Sequence, residues 1–166
     1  MMLRPLPVVK PSSVVAVNPV STGIFGAGES LSYPDYRDLR DRNRTFDGLV
    51  AFGYASYGYS LDSRTLPLRK FGSYVSGNFF RVLGVEPTLG RGFRADEDKV
   101  AGRDAVVVLG HDIWVSDFGA SRSAIGSKLR LNGVEFTVIG VAPEQFTGVN
   151  QFLSPALYVP LRCGRN

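Results

Sequence analysis

The chain has 166 residues, 44% hydrophobic and 20% charged, which excludes a disordered tail. That length holds one domain or two small subdomains with a core that needs neither metal nor disulfide. The net charge of +4 and the pI near 9.4 are mildly basic, but no block of consecutive Lys and Arg marks a nucleic-acid footprint.

The opening Met1-Met2-Leu3-Arg4-Pro5-Leu6-Pro7 carries no apolar signal core, and no run of about 18 apolar residues follows it. A cytoplasmic chain and a domain separated from its membrane anchor both fit this. Val14-Val15-Ala16-Val17, bounded by Pro11 and by Asn18-Pro19, is β-branched and apolar, so it predicts a buried strand. Residues 18–30 predict a loop. Gly23, Gly26 and Gly28 stand as G-x-x-G-x-G with no Lys-Ser/Thr after them, a spacing that fits neither nucleotide fingerprint.

Ser32-Tyr33-Pro34-Asp35 opens a helix: Ser32 caps it, Pro34 suits the first turn and Asp35 completes a capping box. Leu31 and Tyr36 are spaced as a hydrophobic staple, Tyr36 and Leu39 share the apolar face, and Asn43 stops the helix. The charges from Arg37 to Arg42 read as a solvated face. Phe46 to Leu61 predicts a long or bent strand carrying Tyr54, Tyr57 and Tyr59. Those tyrosines read as cross-strand packing rather than a stacking platform for bases or sugars. Asp62-Ser63-Arg64 turns the chain, and Leu66 to Val75 returns.

Ser76 to Gly84 predicts a short helix capped by Ser76, buried through Phe79, Val82 and Leu83, and ended by Gly84. Leu89-Gly90-Arg91-Gly92-Phe93 is a tight turn. Asp96-Glu97-Asp98 reads as a solvated acidic turn, because the EF-hand spacing is missing. Ala105 to Gly110 predicts a central strand covered on both faces. His111 to Phe118 predicts a helix stopped by Gly119, with His111 placed to cap it or bond the backbone rather than to catalyse. Lys128 to Leu131, Asn132-Gly133, and Val134 to Val141 predict a hairpin on a two-residue turn. Ala156 to Leu161 predicts a last strand. Cys163, three residues from the end, cannot form an internal bridge and has no base near it in sequence.

Several of these stretches stand in an order that resembles a known family. They are Val-Ser-Gly-Asn-Phe-Phe-x-x-Leu-Gly at 75–84, Leu-Gly-Arg-x-Phe at 89–93, Val-Val-Val-Leu-Gly at 106–110, and Phe-Gly at 118–119. Ile-Gly-x-x-Leu-x-Leu-Asn-Gly at 125–133, Phe-Thr-Val-Ile-Gly-Val-Ala-Pro at 136–143 and Leu-Tyr-Val-Pro-Leu at 157–161 complete the series. The chain is similar over residues 3–161 to the MacB-like periplasmic core domain of ABC-transporter permeases of the MacB/FtsX type. Within that family it looks closest to the duplicated orphan permeases common in acidobacteria.

The resemblance implies an extracytoplasmic domain on the periplasmic side of the inner membrane, between the first and second membrane helices of a permease. ATP would be hydrolysed by a separate ABC subunit, and the domain would relay that motion, a role called mechanotransmission. It implies a porter-like β-α-β element, roughly residues 12–62, and a small inserted α/β portion with the closing strand, roughly 63–161. Its partners would be the rest of the permease, the ATPase, and a periplasmic adaptor or a second copy, with no nucleic acid. It implies no catalytic, cofactor-binding or metal residues and no cofactor. The chain stops soon after Val159-Pro160-Leu161, before the family's remaining porter-like elements, which leaves Val14–Val17 and Leu157–Leu161 expected at open edges.

Residues and resemblance both predict an α+β fold with mostly antiparallel strands and short helices, and a non-catalytic role in export. One alternative is an extracytoplasmic small-molecule or peptide binding module, since aromatic strands can line a pocket. An enzyme would need a nucleophile–base pair, metal cluster or phosphate loop that the sequence does not display.

Overall fold

Ser32 starts the first helix as its neighbours dictate. The structure, a computed structural model, describes residues 8, 10–17, 31–100, 103–150 and 152–162. In α1 (Tyr33–Arg42) the Asp35 amide donates to Ser32 Oγ at 3.3 Å, and the Ser32 amide donates back to Asp35 Oδ2 at 3.2 Å. This is the reciprocal capping box that the sequence predicts. Asn43 ends the helix, its Oδ1 accepting the amides of Thr45 and Phe46. Tyr36 alone of α1 is buried. Leu39, expected beside it, is 46% exposed, and Leu31, expected as a staple, is exposed too. Tyr36 instead turns inward to polar partners.

β1 (Phe52–Ser60) and β2 (Leu68–Val75) form an antiparallel hairpin in continuous register from Phe52–Val75 to Tyr59–Leu68. Both start later than the residue pattern suggests. Pro67 has no N–H to give a ladder, so β2 begins after it. Asp62 Oδ1 accepts the amides of Arg64 and Thr65 and holds the turn between the strands.

Seven strands form one sheet among the described residues, in the order β3-β6-β4-β7-β2-β1-β5. β7 (Leu157–Pro160) runs parallel to β2 and antiparallel to β4 (Val106–Leu109). β4 runs parallel to β6 (Val134–Val141). β6 pairs antiparallel with β3 (Leu89–Gly90) and with β5 (Lys128–Leu131). β5 also pairs with β1, so the ladder closes on itself through β6. Five of these seven pairings are antiparallel and two parallel. The fold is thus mixed α/β, mostly antiparallel, with three short helices among the described residues.

Strand alternation sorts the core into two clusters. Val107, Leu109, Leu157 and Val159 point to one, where Tyr57, Tyr59, Leu129 and Leu131 meet Ile113 of α3 (His111–Phe118). Val108 and Tyr158 point the other way, to Phe79, Phe80 and Leu83 of α2 (Phe79–Leu83) and to Phe146. Each such side chain contributes about 1.5–3 kcal/mol when fully buried, so these two clusters dominate the stability. β4 has both faces covered, as its continuous apolar run predicts.

Four expectations fail on this frame. Pro11–Ser13 make one 3₁₀ turn, and Val14, Val15 and Val17 are exposed with no strand beside them among the described residues. β-branched residues favour a strand only where a neighbouring ladder receives them. β7 is not an edge: it lies between β2 and β4, and all four of its residues are buried. Leu89-Gly90 is a short strand, not only a turn. Gly90 has φ +70°, and a Cβ there would collide with the Ile139 carbonyl, so only glycine lets β3 reach β6. Finally, α2 begins at Phe79 with Asn78 at its cap position, and Phe80 is buried beside the expected Phe79 and Leu83 while Val82 is half-buried. The loop 18–30 with its glycines, and Cys163, lie outside the described residues.

Candidate functional site

The acidic turn holds three carboxylates with three different fates. Asp96 is exposed and meets Arg103 at 3.3 Å. Glu97 is buried: Arg91 donates to its two oxygens at 3.0 and 2.7 Å, and the Arg94 amide donates at 2.8 Å. Asp98 is 1% exposed, and its Oδ2 accepts the Gly77 amide at 2.8 Å. The expectation of a solvated turn is therefore wrong for Glu97 and Asp98. Consecutive acids in a turn read as solvated because the sequence does not reveal the donors, Arg91 and the Gly77 amide, that justify burying them. Gly77 has no room for a side chain, since a Cβ there would strike the Arg94 carbonyl.

Next to this turn, loop, helix and strand end are tied by one polar network. The Ser76 hydroxyl donates to Asn78 Oδ1 at 2.7 Å and accepts the Ala51 amide at 3.1 Å. Ser76 thus joins β2 to the start of β1 rather than capping α2. Asn78 Nδ2 donates to the Leu49 carbonyl at 2.9 Å. The Tyr36 hydroxyl lies 3.1 Å from both that carbonyl and Asn78 Oδ1. This network seats α1 on the sheet, and the sequence offered no periodic signal for it.

Between α1, α2 and the acidic turn lies a cavity of about 160 Å³ lined by Arg40, Asn78, Arg81, Ala95, Asp98 and Lys99. Arg162 reaches the same region from the end of β7: it donates to the Lys99 carbonyl at 2.9 Å and covers the Tyr33 ring at 5.1 Å. Burial first, and then the charge on Asp98, push the Tyr33 hydroxyl above its ordinary range. On the outer side of α1, a second, shallower groove runs past Leu31, Leu39, Phe46 and Leu49.

The remaining candidates separate cleanly. His111 opens α3 after Gly110 and sets its ring edge-on to Trp114 at 5.6 Å, so it does not cap the helix. Tyr57 and Tyr59 are buried in the core, and Tyr54 stacks on Phe71 at 5.3 Å, which is the packing role expected of them. Among the described residues no three His, Cys, Asp or Glu side chains gather to hold a metal. No helix among them is long and apolar enough to cross a membrane.

The chain is similar to known proteins in sequence and in shape. The macrolide export ATP-binding/permease protein MacB of Chlorobium luteolum is 22% identical over 165 residues, covering 90% of this chain and 23% of that protein. The periplasmic region of MacB from Actinobacillus actinomycetemcomitans superposes with a TM-score of 0.63 at 21% identity, covering 87% of this chain and 63% of that one. The extracellular domain of the noncanonic ABC-type transporter YknZ from Gram-positive bacteria gives 0.52 at 19% identity, over 68% of this chain and 53% of that one. These two structures establish the fold, and the chain spans less than a quarter of the curated relative's length. The profile of the MacB-like periplasmic core domain matches residues 4–165, and the chain belongs to that family.

Proposed function

We propose that the chain is the non-catalytic extracytoplasmic domain of an ABC-transporter permease, and that it relays motion and makes protein contacts during export. The family match over residues 4–165 carries this reading. The curated relative's name joins ATP binding, permease and macrolide export in one protein. Here, ATP would be hydrolysed by a separate ABC subunit, and the domain would couple that motion to the outer compartment. Residues 12–62 would correspond to the porter-like portion and 63–161 to the inserted portion with the closing strand.

Two surface features support a role in contacts. Leu31, Leu39 and Phe46 leave an apolar strip along α1. Leu61, Leu66 and Leu68 crowd the β1–β2 turn, and Leu66 is 86% exposed. Apolar side chains grouped in this way mark surfaces that meet another protein. The partners would be the rest of the permease and a periplasmic adaptor or second copy.

The test is made in the whole transporter, reconstituted in vesicles with its ATPase. Replacing residues 31–162 by a flexible linker should stop export while ATP hydrolysis continues. Export at the native rate after this replacement would overturn the reading. The second reading, a small-molecule or peptide binding module acting alone, would be favoured by a saturable thermal shift with a transported compound that leaves export untouched when blocked.

A further inference from the structure

We propose that the cavity between α1, α2 and the acidic turn binds inorganic phosphate, a small oxyanion that carries its own hydrogen-bond donor. The inference stands on the cavity's own chemistry and does not depend on the transport role.

Three cations from three separate elements line this one small cavity: Arg40 from α1, Arg81 from α2 and Lys99 from the acidic turn. Arg81 and Lys99 form no ion pair among the described residues, and Arg40 meets Asp41 through Nε at 2.9 Å. The cavity, about 160 Å³, far exceeds the roughly 30 Å³ share of one water molecule and accommodates a tetrahedral oxyanion. Taken alone, the cations would accept any anion.

Asp98 narrows the choice. It lines the same cavity and is 1% exposed. Its Oδ2 is occupied by the Gly77 amide, and its Oδ1 has no hydrogen-bond partner among the described residues. A buried carboxylate oxygen in this state seeks a donor. It also repels an anion that brings none. Inorganic phosphate near neutral pH keeps a proton on at least one oxygen, because even its dianion is hydrogenphosphate; a monoester, whose second ionisation lies near pH 6, has mostly lost its own. The P–O–H group of the inorganic ion can donate to Asp98 Oδ1 while the remaining oxygens accept from Arg81, Lys99 and Arg40. Sulfate has the same shape and charge but no proton at neutral pH. A site with a buried acceptor rejects the analogue that cannot satisfy it.

The experiment titrates the 166-residue chain with inorganic phosphate and with sulfate at neutral pH by calorimetry, with amide chemical shifts locating the bound ion. Phosphate should bind about tenfold more tightly than sulfate and move the Gly77, Asp98 and Lys99 amides. Arg81→Ala, at an exposed position, should weaken phosphate by about fivefold or more. Asp98→Asn keeps an acceptor for Gly77 and adds a donor to the cavity, so it should bring sulfate and phosphate to equal affinity. If Asp98→Asn does not fold, Lys99→Ala supplies an independent reading, since it should weaken phosphate as Arg81→Ala does. Equal binding of the two ions to the native chain, no phosphate binding, or shifts that map elsewhere would each overturn the proposal. Vesicles of phosphatidylcholine with and without phosphatidic acid test the need for a donor, because that monoester headgroup mostly lacks its proton at neutral pH. Phosphate binding without vesicle binding is expected, and sedimentation with phosphatidic acid that Arg81→Ala abolishes would overturn the need for a donor.

Discussion

Asn132 and Gly58 are joined by two reciprocal hydrogen bonds, both 2.8 Å long: the Asn132 amide donates to the Gly58 carbonyl, and the Gly58 amide donates to Asn132 Oδ1. Asn132 and Gly133 form the two-residue turn between β5 and β6, with φ of +50° and +82°. These are the two positive values that a type I′ turn requires. The same asparagine therefore makes the tight turn and fastens it to β1, where β5 closes the ladder.

Asn132→Ala should accordingly destabilise the chain by about 2 kcal/mol, since it removes a side-chain acceptor from the Gly58 amide and places alanine at positive φ. Gly133→Val should cost about 1 kcal/mol or more through the left-handed backbone alone. Urea midpoints measure both. An unchanged midpoint for Asn132→Ala would show that the β1–β5 closure contributes nothing.

Tyr158 supplies the next test. It packs in the second core cluster, 1% exposed, among Phe79, Phe80 and Phe146, and its hydroxyl has no hydrogen-bond partner among the described residues. Removing an unsatisfied buried hydroxyl removes its desolvation cost while the ring keeps its contacts. Tyr158→Phe should leave stability unchanged or raise it by up to about 1 kcal/mol. A loss of more than that amount would mean that the hydroxyl has a partner in solution.

The same burial sets a pH dependence. Desolvation raises Tyr158 well above its ordinary 10.0, and it raises Tyr59 too, with Asp117 beside that hydroxyl adding to the effect. Below about pH 10 the folded and unfolded chains both keep these protons, so stability is flat on their account. Above it the unfolded chain releases them first, so stability falls as pH rises towards the folded values. Thermal melts across the alkaline range should show this decline, with the phenolate absorbance of these two tyrosines appearing only on unfolding. In Tyr158→Phe the decline should be shallower.

The parts of this fold written in local chemistry were legible from the residues. The Ser32–Asp35 capping box, the Asn132-Gly133 turn, and the all-apolar β4 each depend on neighbours within a few positions. What could not be read depends on partners far along the chain. Val14 to Val17 has strand composition, but no strand lies beside it among the described residues. Leu157 to Leu161 is expected at an edge because the chain stops soon after it, yet β7 is inserted between β2 and β4. The cavity is the extreme case. Arg40, Arg81 and Lys99 lie 41 and 18 residues apart in sequence and repeat with no period, so only the seating of α1 on Asn78 brings them together.

Glu97 is what fixes the turn that carries Asp98 and Lys99, and it offers the sharpest test of that turn. Its carboxylate takes two bonds from Arg91 and one from the Arg94 amide, in a position 5% exposed. Removing one partner of a fully buried pair costs about 3–5 kcal/mol, because the other charge is left without compensation. Arg91 is 38% exposed at its side chain, so water compensates part of its charge when Glu97 is lost. Glu97→Ala should therefore cost about 2 kcal/mol, below the buried range. Glu97→Gln should cost less, because it keeps an acceptor for the Arg94 amide. Arg91→Met with Glu97→Leu, replacing both charges by apolar groups, should recover part of the loss seen in Glu97→Ala. The double-mutant cycle in urea measures this coupling. A cycle with no coupling energy would show that the turn is held by its backbone alone, and that Arg91 and Glu97 are neighbours without being partners.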